Sequence, residues 1–162
     1  MRTLALVYQS QLKSAQAEAL LSKVLETMRH IPEFRQLSRA TILIELARAD
    51  LSQGKHEQAE ALLRECLSIG DTKTPENWES FRCRSLLGAS LAGQKRYAEA
   101  EPLLIEGYDG MLQRESVIPA LFRFNVAHAV EQLAQLYRAL GKADKAAEWD
   151  LVGQARKATV SK

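Results

Sequence analysis

The sequence repeats itself, and this restricts its fold more than any other feature. Residues 54–63 (GKHEQAEALL), 94–104 (QKRYAEAEPLL) and 141–148 (GKADKAAE) align, and residues 13–21 (KSAQAEALL) supply a fourth copy. The alanines that anchor the copies, Ala17, Ala59, Ala100 and Ala146, stand 42, 41 and 46 residues apart. Pro32, Pro75 and Pro119 keep nearly the same period, at 43 and 44 residues, with one proline in each gap between copies. Self-similarity at such a period means one supersecondary unit used several times, each copy too small to bury its apolar face alone.

Each copy carries an upstream helix. Nine residues before the anchors stand Tyr8, Asp50, Leu91 and Tyr137, and just ahead of them the large/small pairs Leu4-Ala5, Leu46-Ala47, Leu87-Gly88 and Leu133-Ala134. A large residue beside a small one lets a second helix approach closely. Leu21, Leu63 and Leu104 follow four residues after the first three anchors, and Gly54 and Gly141 sit where a left-handed C-cap closes a helix. The unit therefore reads helix, tight turn, helix, then a proline-marked loop. Eight antiparallel helices are expected at about 1–11, 14–30, 35–53, 56–69, 76–93, 96–114, 121–140 and 143–158. They group into units of about 1–31, 35–72, 76–116 and 120–158 within one domain spanning 1–162. Met1 falls inside the first of these helices, so the chain is expected to be a fragment or arm of a larger protein.

Composition agrees. Only 8 glycines and 4 prolines occur in 162 residues, while 46% are hydrophobic, which favours an all-α chain. A net charge of +2, evenly mixed, gives no electrostatic footprint for nucleic acid or an anionic membrane. No apolar run approaches the ~20 residues of a transmembrane helix, and the start lacks a secretory apolar core, so a cytoplasmic location is expected.

Catalytic and metal-binding patterns are missing from the sequence. His30, His56 and His128 are each isolated, and with Cys66 and Cys83 they make no zinc spacing. Cys66 stands at a repeat position that wants a small buried residue. Cys83 lies between Arg82 and Arg84, which could lower its pKa, although an ordinary thiol on a helix flank is the simpler reading. The pairs Glu57/Glu60 and Glu99/Glu101 complement helix N-termini. Tyr8, Tyr97 and Tyr137 recur as packing residues, while Trp78, Phe81, Phe122 and Phe124 open helices and can staple them to the preceding unit. No enzyme, cofactor or metal is expected.

The pattern Leu-Gly/Ala-x-x-Tyr … Gly-x-x-x-x-Ala-x-x-x-Leu resembles the tetratricopeptide repeat, over nearly the whole chain as four units. Its period is similar to the extended variety of kinesin light chains and many bacterial signalling proteins. Residues 78–149 also resemble the C-terminal repeat arm of bacterial multidomain Ser/Thr protein kinases, although no kinase motif is present. The resemblance implies a right-handed α-solenoid and a non-catalytic scaffold that binds a protein or peptide on its concave face. Departures from the pattern are Asp50 in place of Tyr, Arg84 and Asp150 in place of large apolar residues, Gly107 in place of Ala, and Pro102 near the first turn of a second helix.

The same resemblance implies which positions of the first helices face the groove. They are Thr41, Ile44, Arg48, Leu51 and Ser52 in the second unit; Arg82, Ser85, Ala89, Ala92 and Gly93 in the third; and His128, Glu131, Gln135, Arg138 and Ala139 in the fourth. Arginines above a floor of small side chains suit an extended peptide with acidic groups or a C-terminal carboxylate, which guanidinium binds bidentately. The chaperone-tail clamp of the family uses Lys and Asn at positions where this chain has Ile44, Arg48, Ser52, Ser85, Ala89 and Gly93, so that activity is not implied. Self-association into a homo-oligomer through the solenoid ends, or regulation in cis of a kinase-like domain, are the alternative roles.

Overall fold

The structure, a computed structural model, describes residues 14–28, 36–73 and 77–160. Among them, seven α-helices follow in order: α1 (Ser14–Met28), α2 (Gln36–Ser52), α3 (His56–Lys73), α4 (Trp78–Gly93), α5 (Tyr97–Gln113), α6 (Phe124–Ala139) and α7 (Ala143–Val160). Two 3₁₀ turns, Glu115–Val117 and Ala120–Phe122, lie between α5 and α6, and no strand occurs among the described residues. The expected helix over 1–11, with its Leu4-Ala5 pair and Tyr8, lies outside the described residues, as do Pro32 and Pro75.

Three tight turns are copies of one another. The N–H groups of Lys55, Arg96 and Lys142 donate to the carbonyls of Asp50, Leu91 and Tyr137, each at 2.9 Å. Such a bond closes a helix end around one residue in the left-handed conformation. Gly54 (φ 73°) and Gly141 (φ 69°) supply that residue in two turns, and Lys95 (φ 63°) supplies it in the third. All three stand five residues before an anchoring alanine, so the repeat period is a repeat of backbone closure as well as of packing.

The helices stack in sequence, and α2 also meets α4 as α4 meets α6. An inner layer of α2, α4 and α6 thus lies against an outer layer of α1, α3, α5 and α7, an all-α solenoid. The repeat residues make the core: Ala59, Ala100, Leu21, Leu63 and Leu104 are fully buried, as are Leu46-Ala47 and Leu133-Ala134 to within 5%. At the Leu87-Gly88 pair a Cβ on Gly88 would lie 2.7 Å from Leu104 Cγ and 3.0 Å from the Ala100 carbonyl, which shows how closely the second helix of the unit approaches.

Two details differ from expectation. The helix expected over 121–140 begins at Phe124, because the extra residues in the 46-residue spacing are wound into the two 3₁₀ turns, pinned by buried Ile118. Pro102 is the sixth residue of α5, beyond the N–H groups that lack partners at a helix start, and it sits exposed where solvent can take up the Ala98 carbonyl it leaves unbonded.

Asp50 occupies the tyrosine position as a carboxyl that is only 4% exposed, with Oδ1 making no hydrogen bond. Burial, reinforced by Glu18 and opposed by Lys55, pushes its pKa up to about 6. The folded state therefore holds this proton more tightly than the unfolded chain, so its contribution is present in acid and is lost as pH rises through about 6. Asp50→Asn removes that loss. The variant is expected to match the wild type near pH 4 and to exceed it at pH 7.5 by on the order of 1–3 kcal/mol, measured by urea denaturation across pH. Parallel pH profiles would refute a buried carboxylate at this site.

Candidate partner-binding groove

A half-open cavity of about 650 Å³ lies along the inner layer, reached also by His56 of α3 and by Tyr97 and Leu104 of α5. Leu51, Leu86, Ala89, Ala92, Leu136 and Ala139 line it with apolar surface, and Phe124 stands at one side. Its polar lining is Arg48, Ser52, His56, His128, Gln132 and Gln135; among the described residues no Asp or Glu side chain lines it. Small residues spaced along α4 and α6 keep the floor low, so an incoming chain can approach the helix backbones.

Arg48 is the guanidinium of this groove. It pairs with Glu45 Oε2 at 3.1 Å and lies over the Phe124 ring, 5.3 Å from its centroid. Burial draws its pKa below the ordinary arginine value, while Glu45 holds it up, so the side chain stays a cation. Desolvation at the groove wall lowers the pKa of His128; Glu131 opposes this, and the Arg48 and Arg82 charges add to it. The His56 ring packs against Gly93, where a Cβ would lie 2.3 Å from its Cε1 and Nδ1. Glycine at the end of α4 thus gives that ring its place in the wall.

Comparison with known proteins adds to this geometry. A tetratricopeptide repeat family model matches residues 1–71. No curated protein matches the chain. The crystal structure of nearly identical TPR-like repeats from Podosopora anserina, described as those of a kinesin light chain, superposes with a TM-score of 0.73 at 23% identity, over 98% of this chain and 74% of that one. A substituted form of the same repeats gives the same TM-score and identity, over 98% of this chain and 73% of that one. The P. vanneervenii protein BtubC (BKLC) superposes with a TM-score of 0.73 at 18% identity, over 94% of this chain and 59% of that one. The fold is a tetratricopeptide-repeat solenoid.

Of the fifteen residues expected at the groove, nine line the cavity, among them Arg48, Ala89, His128 and Gln135. Thr41 and Ile44 are buried, Thr41 donating to Glu79 at 3.3 Å. Ser85 is buried and donates to Gln132 at 3.4 Å. Glu131 pairs with Lys157 at 3.7 Å and Arg138 with Asp150 at 2.5 Å, both on the outer end of the last unit. Arg82 is 1% exposed. It donates through Nη2 to Glu45 at 2.7 Å and through Nε to Asn125 at 3.0 Å, with its guanidinium 5.5 Å from the Phe122 ring centroid. A buried polar ladder, Glu45–Arg82–Asn125, therefore crosses α2, α4 and α6 beside the groove.

Residues that family positions did not mark include His56 and Tyr97, three residues before Ala59 and Ala100, together with Leu86, Gln132, Leu136 and Phe124. The equivalence of His56 and Tyr97 was present in the repeat alignment; both open second helices and lean over the turn into the groove. Cys83 is fully buried, donating to the Leu63 carbonyl at 3.3 Å, and burial pushes its thiol well above the usual range, helped by Cys66. The neighbouring arginines do not overcome this, and an activated thiol at Cys83 is ruled out. Among the described residues no three His, Cys, Asp or Glu side chains come together as metal ligands, and no helix is long and apolar enough to cross a membrane.

Proposed function

We propose that this protein is a non-catalytic scaffold that binds a protein segment in the groove between α2, α4 and α6. Tetratricopeptide-repeat solenoids are protein-interaction scaffolds as a class, and their concave surface is the usual seat of binding. One observation carries the reading here: an apolar floor beneath a guanidinium, two imidazoles and two carboxamides, with no carboxylate among the described residues of the lining. The complementary ligand presents apolar side chains to Leu51, Leu86 and Leu136, and sets an acidic side chain or a C-terminal carboxylate against Arg48.

The test uses fluorescein-labelled twelve-residue peptides of Leu, Phe, Asp and Glu, beside the same peptides with Asn and Gln at the acidic positions. Anisotropy titration is expected to show tighter binding of the acidic set. Arg48→Glu is expected to weaken that binding about tenfold or more, and Arg138→Glu, already tied to Asp150, to leave it within about twofold. Equal binding of both sets, or equal effects of the two variants, would overturn the reading.

A further inference from the structure

The segment joining α5 to α6 is built unlike a connecting loop. Loops on a surface are ordinarily polar, yet residues 117–122 read Val-Ile-Pro-Ala-Leu-Phe. Leu112, Val117, Leu121 and Phe124 are exposed at 38%, 68%, 71% and 46%, leaving Leu151 as the one other large apolar side chain so exposed among the described residues. The segment is also held rigid. Ile118 is buried to 1%, the Phe122 ring stacks on Trp78 with centroids 5.6 Å apart, and Asn125 Nδ2 donates to the Phe122 carbonyl at 2.6 Å. Exposed apolar side chains on a fixed backbone are pre-organised for a partner, because little order remains to be lost on binding.

Its place in the fold identifies what covers it. Phe124 belongs both to this surface and to the groove lining, and Leu121 lies one turn ahead of it, on the same face of the helical backbone. Exposed apolar surface therefore begins at the groove lining itself, at Phe124, and Leu121 follows it one turn away. Arg123, exposed beside Leu121, is oriented by donating from Nε to the Ile118 carbonyl at 3.2 Å. Glu115, the carboxylate of the same segment, is engaged by Arg156. Four side chains expose only a few hundred Å², well short of the ~800 Å² per partner that a stable dimer buries. The surface is sized for a short chain segment with apolar side chains and an acidic group.

We infer that the Leu121–Phe124 rim is a second docking subsite, occupied by the apolar, acidic flank of the same protein segment that fills the groove. The inference rests on the groove reading and extends it by about four residues of partner chain.

The experiment lengthens the best-binding acidic twelve-residue peptide by four residues, Leu-Glu-Leu-Leu or Ser-Gly-Ser-Ser, at either end, and titrates each against four proteins. On the wild type the Leu-Glu-Leu-Leu flank at one end is expected to tighten binding about fivefold or more, and the Ser-Gly-Ser-Ser flank to add nothing. Leu121→Ser is expected to abolish that gain while leaving the twelve-residue peptide unaffected. Leu151→Ser, an equally exposed leucine on α7, is expected to change neither. If the short peptide binds and is lost in Arg48→Glu, but no flank adds affinity, the rim subsite is overturned and the groove stands. If the flanked peptide is weakened by Leu121→Ser and not by Arg48→Glu, the groove reading fails, and the rim is a site of its own rather than a subsite. If no peptide binds, both are overturned.

Discussion

Arg82→Met is expected to lower stability by about 3–5 kcal/mol in chemical denaturation, and adding Glu45→Met to recover a large part of that loss. Arg82 is 1% exposed and Glu45 is fully buried, so removing the guanidinium strands a carboxylate in the interior. It also leaves Asn125 Oδ1 without its donor at 3.0 Å. Methionine conserves the volume of the arginine stem, which keeps a cavity from contributing to the loss. The double variant removes the stranded charge, but it takes the carboxylate from Arg48 as well. Arg48 is 22% exposed and can turn its charge to solvent, so recovery is substantial without being complete. A single-variant loss below about 1 kcal/mol would mean that water reaches the pair and that the ladder is not an interior feature. The same burial makes Arg82 a poor probe of partner binding: a charge reversal there would unfold the inner layer before it reported on the groove.

The fold was legible because its period is written in local chemistry. Ala59, Ala100 and Ala146 are buried where the second helices meet the inner layer, and the left-handed residue stands five positions before each. A sequence alignment reads such features directly, since each depends on its own unit. The groove depends on how units are rotated against one another, and there fixed repeat positions lose their meaning. Glu45, Arg82 and Asn125 touch across three inner helices, yet they stand 14, 18 and 21 residues before their anchors. Each step moves the contact back by about one helical turn. Thr41, Ile44 and Ser85 are interior for that reason, whereas Arg48, Ala89 and Gln135 look into the groove. Arg138 was marked by position alone, and no spacing rule announced that Asp150, in place of a core leucine, would hold it at the end of the solenoid.

Gly107→Ala is expected to destabilise the protein by about 2–3 kcal/mol, although alanine is the better helix former by about 1 kcal/mol. A Cβ at Gly107 would lie 2.6 Å from the Ser85 nitrogen, 2.7 Å from Ser85 Cβ and 2.8 Å from the Phe81 carbonyl oxygen. Two of these atoms are backbone of α4, and none can swing aside, so the only relief is to part α4 from α5 along the middle of the third unit. That opens the seam holding Leu87, Leu104 and Ala100, all at most 3% exposed. The control is the equivalent glycine of the last unit: Gly107 and Gly153 each stand seven residues after their anchoring alanine. At Gly153 a Cβ meets only Val130 Cγ1, at an ordinary 3.5 Å. Gly153→Ala is accordingly expected to be neutral or to gain up to about 1 kcal/mol, from helix propensity and a stiffer unfolded chain. The two variants make the same chemical change at the same place in the repeat, so propensity cancels between them and the difference isolates the approach of α4 to α5. Denaturation midpoints that shift together, in either direction, would refute backbone contact between those helices at Gly107.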